Sequence, residues 1–206
     1  MIYKIQSESG SVTTSELAQA MNVSSASASD MLKKLARKKF ITYKPYYGAA
    51  LTPTGRSNAL LVTRRHRLWE MFLVKTLDFS WDEVHAIADR LEHATSVELE
   101  RRIDEKLGFP TTDPHGDPIP RDGELVAREL VALTDLPLNT PARIARVSDD
   151  NPEILQYLAQ IGLKLEQHIV VKESVPFDNS LHIELDGLNV FLSEKLSHSI
   201  FVTPAA

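Results

Sequence analysis

Six of the imidazole and carboxylate side chains between Arg64 and Arg102 are candidate metal ligands by their spacing: His66, Glu70, His85, Asp89, Glu92 and His93. His66 and Glu70 are four positions apart, so they share one face of a helix. The four from His85 to His93 have offsets of 0, 4, 7 and 8, which place them within an arc of roughly 100° on a second helix. Imidazoles and carboxylates grouped in this way are ligands for Mn(II), Fe(II), Co(II) and Zn(II).

The alternative to a metal site is that these residues only form a solvated helix face. Apolar residues occupy the adjoining arcs of both helices: Val84, Ile87, Ala88 and Leu91 on one, and Leu68, Trp69, Phe72 and Leu73 on the other. The polar groups therefore flank a buried seam, where an unpaired imidazole or carboxylate would cost several kcal/mol. This arrangement favours a metal site over a solvated face.

The elements that must position these side chains are three consecutive helices. Two capping-box patterns, Ser80–Glu83 and Thr95–Glu98, mark predicted helix starts within the stretch. A Gly-Phe-Pro stop signal follows Leu107 and predicts the end of the third helix.

Composition excludes several classes of protein. The 206-residue chain has no cysteine, so disulfide frameworks, cysteine zinc fingers and thiolate catalysis are excluded. Its 43% hydrophobic content is sufficient for one or two domains with a core. No apolar run reaches the ~18 residues of a membrane span, and no signal-peptide pattern opens the chain, so we expect a soluble, cytoplasmic protein.

The charge is divided unevenly between the two parts of the chain. The overall net charge is −5, but residues 1–67 carry +8 and the remainder carries −13. Such asymmetry is typical of a basic nucleic-acid-binding module joined to an acidic regulatory module.

The basic part has the pattern of a helix-turn-helix. A capping box at Thr13–Glu16 opens a short helix, and a second helix follows from about Ser25 to Lys39. The start of the second helix offers small polar side chains for base edges, and its later turns offer cations for phosphates. The candidate DNA-binding residues on this helix are Ser24, Ser25, Ser27, Ser29, Asp30, Lys33, Lys34 and Arg37.

Two short strands, Phe40–Tyr43 and Ala49–Thr52, follow the basic helix. The turn between them contains Gly48, which predicts a β-wing. Lys44 and Tyr46 are the candidate DNA contacts of the wing. A basic helix alone is more often merely solvated, but the order of helix-turn-helix and wing predicts a winged helix.

The chain beyond Leu107 changes character. His115–Pro120 is rich in proline and glycine and is interpreted as irregular structure. A helix is predicted at Pro152–Ile161 and an Asp-Gly hairpin turn at 186–187. Four short strands are predicted, at Arg143–Val147, His168–Lys172, Leu181–Leu185 and Asn189–Leu192. This pattern predicts a small β-barrel.

With these elements in place, the chain resembles the DtxR/MntR family of metal-dependent transcriptional repressors. The resemblance covers nearly the whole chain and is strongest in TPTGR at 52–56, HRLWE at 66–70, VHAIADRLEHATS at 84–96 and PHGDPIP at 114–120. The C-terminal part is similar to the SH3-like, FeoA-type domain of many members. The resemblance implies an α+β chain with four parts: a winged helix-turn-helix (1–60), a helical dimerisation and metal-binding domain (61–120), a linker (121–141) and an SH3-like FeoA-type domain (142–206).

The resemblance also implies a homodimer that binds a palindromic operator in double-stranded DNA, with two metal sites per protomer. One site would use His66, Glu70 and His85, completed from the C-terminal domain; the candidates there are Asp149, Asp150 and Glu153. The other would use Asp89, Glu92 and His93 with a ligand from the first helix. In the family that ligand lies upstream of the position of Ile2, so we expect an incomplete second site and weak activation by metal.

The resemblance also bears on the choice of metal. The position of Asp89 is a cysteine in iron-responsive relatives and a carboxylate in manganese-responsive ones. A hard oxygen donor favours Mn(II) as corepressor, with Fe(II) as the alternative and Zn(II) or Co(II) able to bind in vitro.

Two other classes of function are compatible with parts of the sequence. A metal-dependent hydrolase would use the same clusters, but the sequence has no HExxH motif and no glycine-rich phosphate loop. A winged-helix regulator that senses an organic ligand would keep the acidic residues as purely structural groups. Metal titration of DNA binding distinguishes both from a metal-dependent repressor.

Overall fold

The computed structural model describes residues 1–44, 47–126, 128–148 and 151–205. These residues form two compact units. The first comprises residues 1–63 with 122–124, and the second comprises residues 64–121 with the chain from Leu125 onward. Tyr46, Asp149 and Asp150, three of the candidate site residues, lie outside the described residues.

The helices carry most of the described candidate ligands and candidate DNA-binding residues. They are α1 Ile2–Ser9, α2 Thr14–Ala20, α3 Ser25–Arg37, α4 Pro53–Leu77, α5 Val84–Leu91, α6 Val97–Lys106, α7 Pro152–Gln160 and α8 Glu194–Ser197. A short 3₁₀ turn, Glu92–Ala94, follows α5 directly. Among the described residues no helix combines the length and apolar composition needed to cross a membrane.

The strands of the described residues form two antiparallel sheets. They are β1 Ile41–Lys44, β2 Gly48–Leu51, β3 Val131–Ala132, β4 Pro141–Val147, β5 His168–Ser174, β6 Leu181–Leu185, β7 Leu188–Leu192 and β8 Ile200–Pro204. Strands β1 and β2 form one sheet, to which Val12 adds an isolated bridge at Ala49, and the other six described strands have the order β3-β8-β4-β5-β6-β7. The pairing of β4 with β8 shifts register between Ile144 and Arg146, which marks a bulge at Ala145.

The first unit is a winged helix. Its core includes Leu17 of α2, Leu32 of α3 and Ile41 of β1, all essentially buried. The predicted capping box is present, because the Thr13 side chain accepts from the Glu16 amide while the Glu16 carboxylate accepts from the Thr13 amide. Strands β1 and β2 form the predicted wing.

The second unit contains the central helices and the six-stranded sheet. The sheet covers an apolar core that includes Ile144, Ile169, Ile183 and Val202, each with no exposed surface. The predicted fold class is therefore confirmed: an α+β chain with an N-terminal winged helix-turn-helix, central helices and a small C-terminal antiparallel β-domain.

Two predicted helix caps are wrong. Helix α5 begins at Val84 and Ser80 does not cap it, although the Ser80 amide and hydroxyl both donate to Glu83 Oε2. Helix α6 begins after Ser96, whose side chain accepts from the Leu99 amide, and not after Thr95. Thr95 is buried, and its hydroxyl donates to the Leu91 carbonyl while accepting from the indole N–H of Trp69. The Thr95 hydroxyl thus satisfies a buried indole, which leaves the exposed serine to cap the helix.

Candidate metal centre

Helices α4 and α5 bring three of the predicted ligands together. His66 and Glu70 lie one turn apart on α4, and the His66 Nε2 atom is 2.9 Å from Glu70 Oε1. His85, near the start of α5, places its Nδ1 atom 3.2 Å from the same carboxylate oxygen and 3.1 Å from His66 Nε2. Glu70 has no exposed surface, so its charge depends on these imidazoles.

A second cluster shares His66. Its Nδ1 atom lies 2.8 Å from Glu92 Oε2 and 3.3 Å from Asp89 Oδ1. Glu92 is buried, whereas 59% of the Asp89 side chain is exposed. His93 is 72% exposed, and its Nε2 atom lies 3.4 Å from Glu92 Oε1. This cluster therefore consists of His66, Asp89 and Glu92, and the predicted ligand His93 is not part of it. It shares the His66 imidazole with the first cluster.

A third cluster contains two residues that the sequence interpretation does not include. Asp113 and His115 are buried beside Glu70, and one ligand atom from each of the three residues lies within 4.8 Å of the other two. Glu70 Oε2 is 3.9 Å from His115 Nδ1. Within the described part of the chain, neither of these buried atoms has a hydrogen-bond partner. Burying two polar atoms without hydrogen bonds lowers the free energy of unfolding, unless a further group lies between them and interacts with both.

The tautomer of His115 follows from its other nitrogen. The Nε2 atom lies 2.8 Å from the Trp81 carbonyl oxygen, which can only accept a hydrogen bond, so Nε2 carries a proton. The Trp81 indole ring also stacks on the imidazole at 6.0 Å between ring centroids. In the neutral ring, the Nδ1 lone pair is thus directed at Glu70, as in metal-binding histidines whose second nitrogen donates to a carbonyl.

Asp113 is held by its own loop. Its Oδ1 atom accepts from the backbone amides of His115 and Asp117, both at 2.9 Å. Burial, together with the charges of Glu70 and Asp117, raises the pKa of Asp113 well above its usual range, although Arg67 opposes this shift. A nearby cation would favour the ionised form.

The chemistry of these donors fits a divalent cation. The cluster offers carboxylate oxygens and imidazole nitrogens without sulfur, a set suited to Mn(II), Fe(II) or Zn(II). A bound cation would explain why Glu70 Oε2 and His115 Nδ1 have no hydrogen-bond partner in the part of the chain that the structure describes. Asp113, His115 and Glu70 would hold it, and His66 and His85 lie at the other oxygen of Glu70.

Proton release provides a test of ligation by His66. Burial alone would lower its pKa, but hydrogen bonds to Glu70 and Glu92 and their negative charges raise it to about 10. At pH 7 the ring is protonated, so ligation through Nε2 must release this proton, and metal affinity should rise with pH below about 10. Calorimetry at pH 7 in two buffers of different ionisation enthalpy should show the release of at least one proton per bound Mn(II). Equal heats in both buffers would contradict ligation by His66.

Two candidate ligands among the described residues, His93 and Glu153, join none of these clusters. Glu153 lies in the first turn of α7, where it is exposed and its amide donates to the Asn151 side chain. It belongs to none of the three clusters found among the described residues.

The signal that could identify these two further residues is the Asp-x-His spacing at 113–115. The neighbouring prolines and glycine instead favour an interpretation as irregular structure. In the structure this segment is closed by paired backbone bonds, including Asp113 N–H to Asp117 O at 2.9 Å and Ile119 N–H to Thr111 O at 2.9 Å.

The candidate DNA-binding residues lie mainly on the exposed face of α3. Ser24 caps the helix by accepting from the Ser27 amide, and Ser29 is half-buried against Tyr43. The other described candidates are exposed: Ser25, Ser27, Asp30, Lys33, Lys34, Arg37 and Lys44. Thus the structure presents cations and small polar groups together along α3.

Comparison with known proteins identifies three consecutive regions. Residues 1–49 match the family described as "Iron dependent repressor, N-terminal DNA binding domain". Residues 52–121 match "Iron dependent repressor, metal binding and dimerisation domain", and residues 131–204 match the FeoA domain.

Full-length relatives support the same assignment. The iron-dependent repressor IdeR of Mycobacterium tuberculosis H37Rv is 35% identical, covering 98% of this chain and 93% of its own length. The diphtheria toxin repressor of Corynebacterium diphtheriae is 28% identical, covering 97% and 92%. Among solved structures, a manganese-dependent transcriptional repressor in complex with manganese is 39% identical with a TM-score of 0.88, covering 94% of this chain and 91% of that one. The repressor ScaR with bound Zn²⁺ is 31% identical with a TM-score of 0.80, covering 98% and 95%. With these matches along nearly its whole length, the chain belongs to the iron-dependent repressor family, the DtxR/MntR family that its sequence resembles.

Proposed function

We propose that this chain is a metal-dependent transcriptional repressor that binds a palindromic operator as a homodimer when Mn(II) or Fe(II) is bound. The observation that carries the proposal is that the buried atoms Glu70 Oε2 and His115 Nδ1 have no hydrogen-bond partner among the described residues, in a chain that also carries a winged helix. The repressor would couple the cellular supply of the metal to transcription. This assigns the chain a regulatory function and not a catalytic one.

Metal binding would involve residues from separate elements. Glu70 lies on α4, His85 lies on α5, and Asp113 and His115 lie on the loop after α6. A divalent cation supplies the positive charge that lets these anionic and neutral donors converge. Because the ligands come from different elements, binding favours the arrangement in which those elements are close together. If that arrangement also suits the operator, metal and DNA bind cooperatively.

We propose Mn(II) as the main corepressor. Asp89 and Asp113 add hard oxygen donors to the clusters, and the chain has no cysteine to offer a soft one. The similar manganese-dependent repressor is consistent with this choice. Fe(II) accepts the same oxygen and nitrogen donors and is the alternative.

Substitution of Asp89 tests the origin of this preference. Asp89→Cys is expected to shift activation of DNA binding away from Mn(II) and toward softer ions such as Zn(II), because a thiolate replaces a hard oxygen. The measurement is the concentration of each metal needed for half-maximal DNA binding. Activation profiles that match the wild type would show that Asp89 is not a ligand.

Two sets of substitutions on α3 should distinguish residues that set the affinity for DNA from residues that set the preference among DNA sequences. Replacing both Lys33 and Lys34 with Ala should weaken binding to all duplexes and reduce the slope of log affinity against log salt by about 2. Ser27→Ala should instead alter the preference among sequences, because Ser27 is exposed on the first turn of α3. Lys195→Ala, a change at an exposed lysine of α8, serves as the control for lost charge. Unchanged sequence preference in Ser27→Ala would contradict the base-contact assignment.

The experiment that tests the function is a metal titration of DNA binding. Metal-free protein is titrated with Mn(II), Fe(II) or Zn(II) while its binding to a palindromic duplex is followed by fluorescence anisotropy. We expect metal-dependent binding with Mn(II) the most effective. DNA binding that does not depend on metal would support the alternative of a regulator that senses an organic ligand. Metal-dependent hydrolysis would support an enzyme.

A further inference from the structure

The loop that supplies two candidate ligands packs closely against strand β4. The Val147 amide donates to the His115 carbonyl at 2.8 Å. Gly116 has φ +92°, and a Cβ atom at this position would lie 2.1 Å from the Ala145 carbonyl oxygen. The loop backbone therefore follows the bulge of β4 at a distance that only glycine allows.

The Asp117 side chain connects this loop to helix α4 and to strand β4. Its Oδ1 atom accepts from the Arg67 Nη2 atom at 3.0 Å, and its Oδ2 atom accepts from the Arg146 Nε atom at 2.9 Å. Arg67 is adjacent to His66 on α4, while Arg146 lies on β4 with its guanidinium 4.6 Å from the Phe201 ring centroid. All three charged side chains are largely buried. At such sites guanidinium–carboxylate bonds fix geometry more firmly than exposed ion pairs do.

The same residue fixes the orientation of Asp113. The Asp117 amide donates to Asp113 Oδ1, and the Asp117 carbonyl accepts from the Asp113 amide, both at 2.9 Å. Arg67 also lies near Asp113, with Nε 3.5 Å from Oδ2. His115 lies between the two aspartates, so its direction toward Glu70 depends on the closure of this loop.

We propose that Asp117 is a positioning residue that, through Arg67 and Arg146, holds Asp113 and His115 in the geometry for metal binding. Metal affinity would then depend on the C-terminal sheet, although the sheet's Arg146 does not itself bind the metal. The proposal rests on the proposed function, in which Glu70, Asp113 and His115 bind the metal. The rival explanation is that the ion pairs only stabilise the fold.

The test compares the Asp117→Asn variant of the 206-residue chain with the wild type. The amide keeps the size of the side chain but loses its charge, so at least one arginine contact is weakened. We expect Mn(II) affinity, measured by calorimetry, to fall about 10- to 100-fold, as for other residues that orient metal ligands. We also expect a changed visible spectrum of the Co(II)-loaded protein, which reports ligand geometry. Asp135→Asn, at an exposed aspartate of the C-terminal part, should leave both unchanged.

Arg146 provides the second arm of the test. Arg146→Gln should reduce Mn(II) affinity similarly, and the double variant with Asp117→Asn should lose little more, because both act through one contact. Arg146→Lys should retain part of the affinity. Additive losses, or a wild-type Co(II) spectrum and wild-type affinity in Asp117→Asn, would overturn the positioning role even if the variant were less stable.

Two variants together distinguish failure of the proposed function from failure of the positioning role. If Glu70→Gln abolishes Mn(II) binding while Asp117→Asn binds as the wild type does, the metal site stands and the positioning role is wrong. If Glu70→Gln binds Mn(II) normally, the site itself is wrong, and the positioning role fails with it.

Discussion

Replacing Glu70 with Gln is expected to lower Mn(II) affinity by at least about 100-fold and to abolish metal-dependent DNA binding. The two carboxylate oxygens face different partners: Oε1 contacts His66 and His85, and Oε2 faces His115. Although burial alone would raise the pKa of Glu70, the hydrogen bonds from His66 and His85 lower it to about 2. A neutral amide removes the charge and introduces an N–H₂ donor among groups that should bind a cation.

Calorimetric titration with Mn(II) measures this loss, and circular dichroism shows whether the variant keeps its secondary structure. Glu173→Gln provides a matched control, because Glu173 is exposed on β5. We expect the control to bind metal as the wild type does. Mn(II) affinity in Glu70→Gln within a few-fold of the wild type would exclude Glu70 as a ligand.

The second large effect is expected from Gly116→Ala. The new methyl group would meet the Ala145 carbonyl oxygen, and the backbone would be strained at φ +92°. Left-handed strain and forced displacement of packed atoms each cost about 1–3 kcal/mol, so the free energy of unfolding should fall by about 3 kcal/mol. Because the loop must move away from β4, Mn(II) affinity should fall as well. Chemical denaturation of the metal-free protein measures the first effect, and calorimetry measures the second.

The Gly187→Ala variant distinguishes the effect of backbone strain from the effect of the steric clash with the Ala145 carbonyl oxygen. Gly187 has φ +87°, close to the value at Gly116, but a Cβ atom at Gly187 would meet no described atom within 4 Å. This control should lose only about 1 kcal/mol, the cost of the backbone conformation, and should bind Mn(II) normally. Equal destabilisation of the two variants would show that contact with β4 is unimportant.

Local patterns in the sequence predict most of the elements that position the site. The spacing of His66 and Glu70 on a helix requires only the 3.6-residue period. Alternating burial along Leu181–Leu185 matches the predicted strand at both ends. The capping box of α2 is likewise predictable, because its partners lie three residues apart and depend on no distant contact.

The parts that local patterns do not predict depend on distant contacts. Asp113 and His115 lie in a proline-rich loop without a regular period, and their burial depends on β4, about 30 residues later in the sequence. Thr95 has the pattern of a helix cap, and only its contact with Trp69 shows its other role. Strands β3 and β8 are also absent from the sequence prediction, and β3 spans only two residues that pair with the end of the chain.

Reciprocal linkage provides the most direct test of the central claim, that metal binding at the Glu70 cluster promotes DNA binding. A duplex is first selected from a random-sequence library with the Mn(II)-loaded protein. DNA affinity is then measured with Mn(II) and with a chelator, and Mn(II) affinity is measured with and without the duplex. We predict that each ligand increases the affinity for the other by the same factor in the wild type, and that this coupling is lost in Glu70→Gln. Mn(II) affinity that is unchanged by saturating duplex would contradict the account.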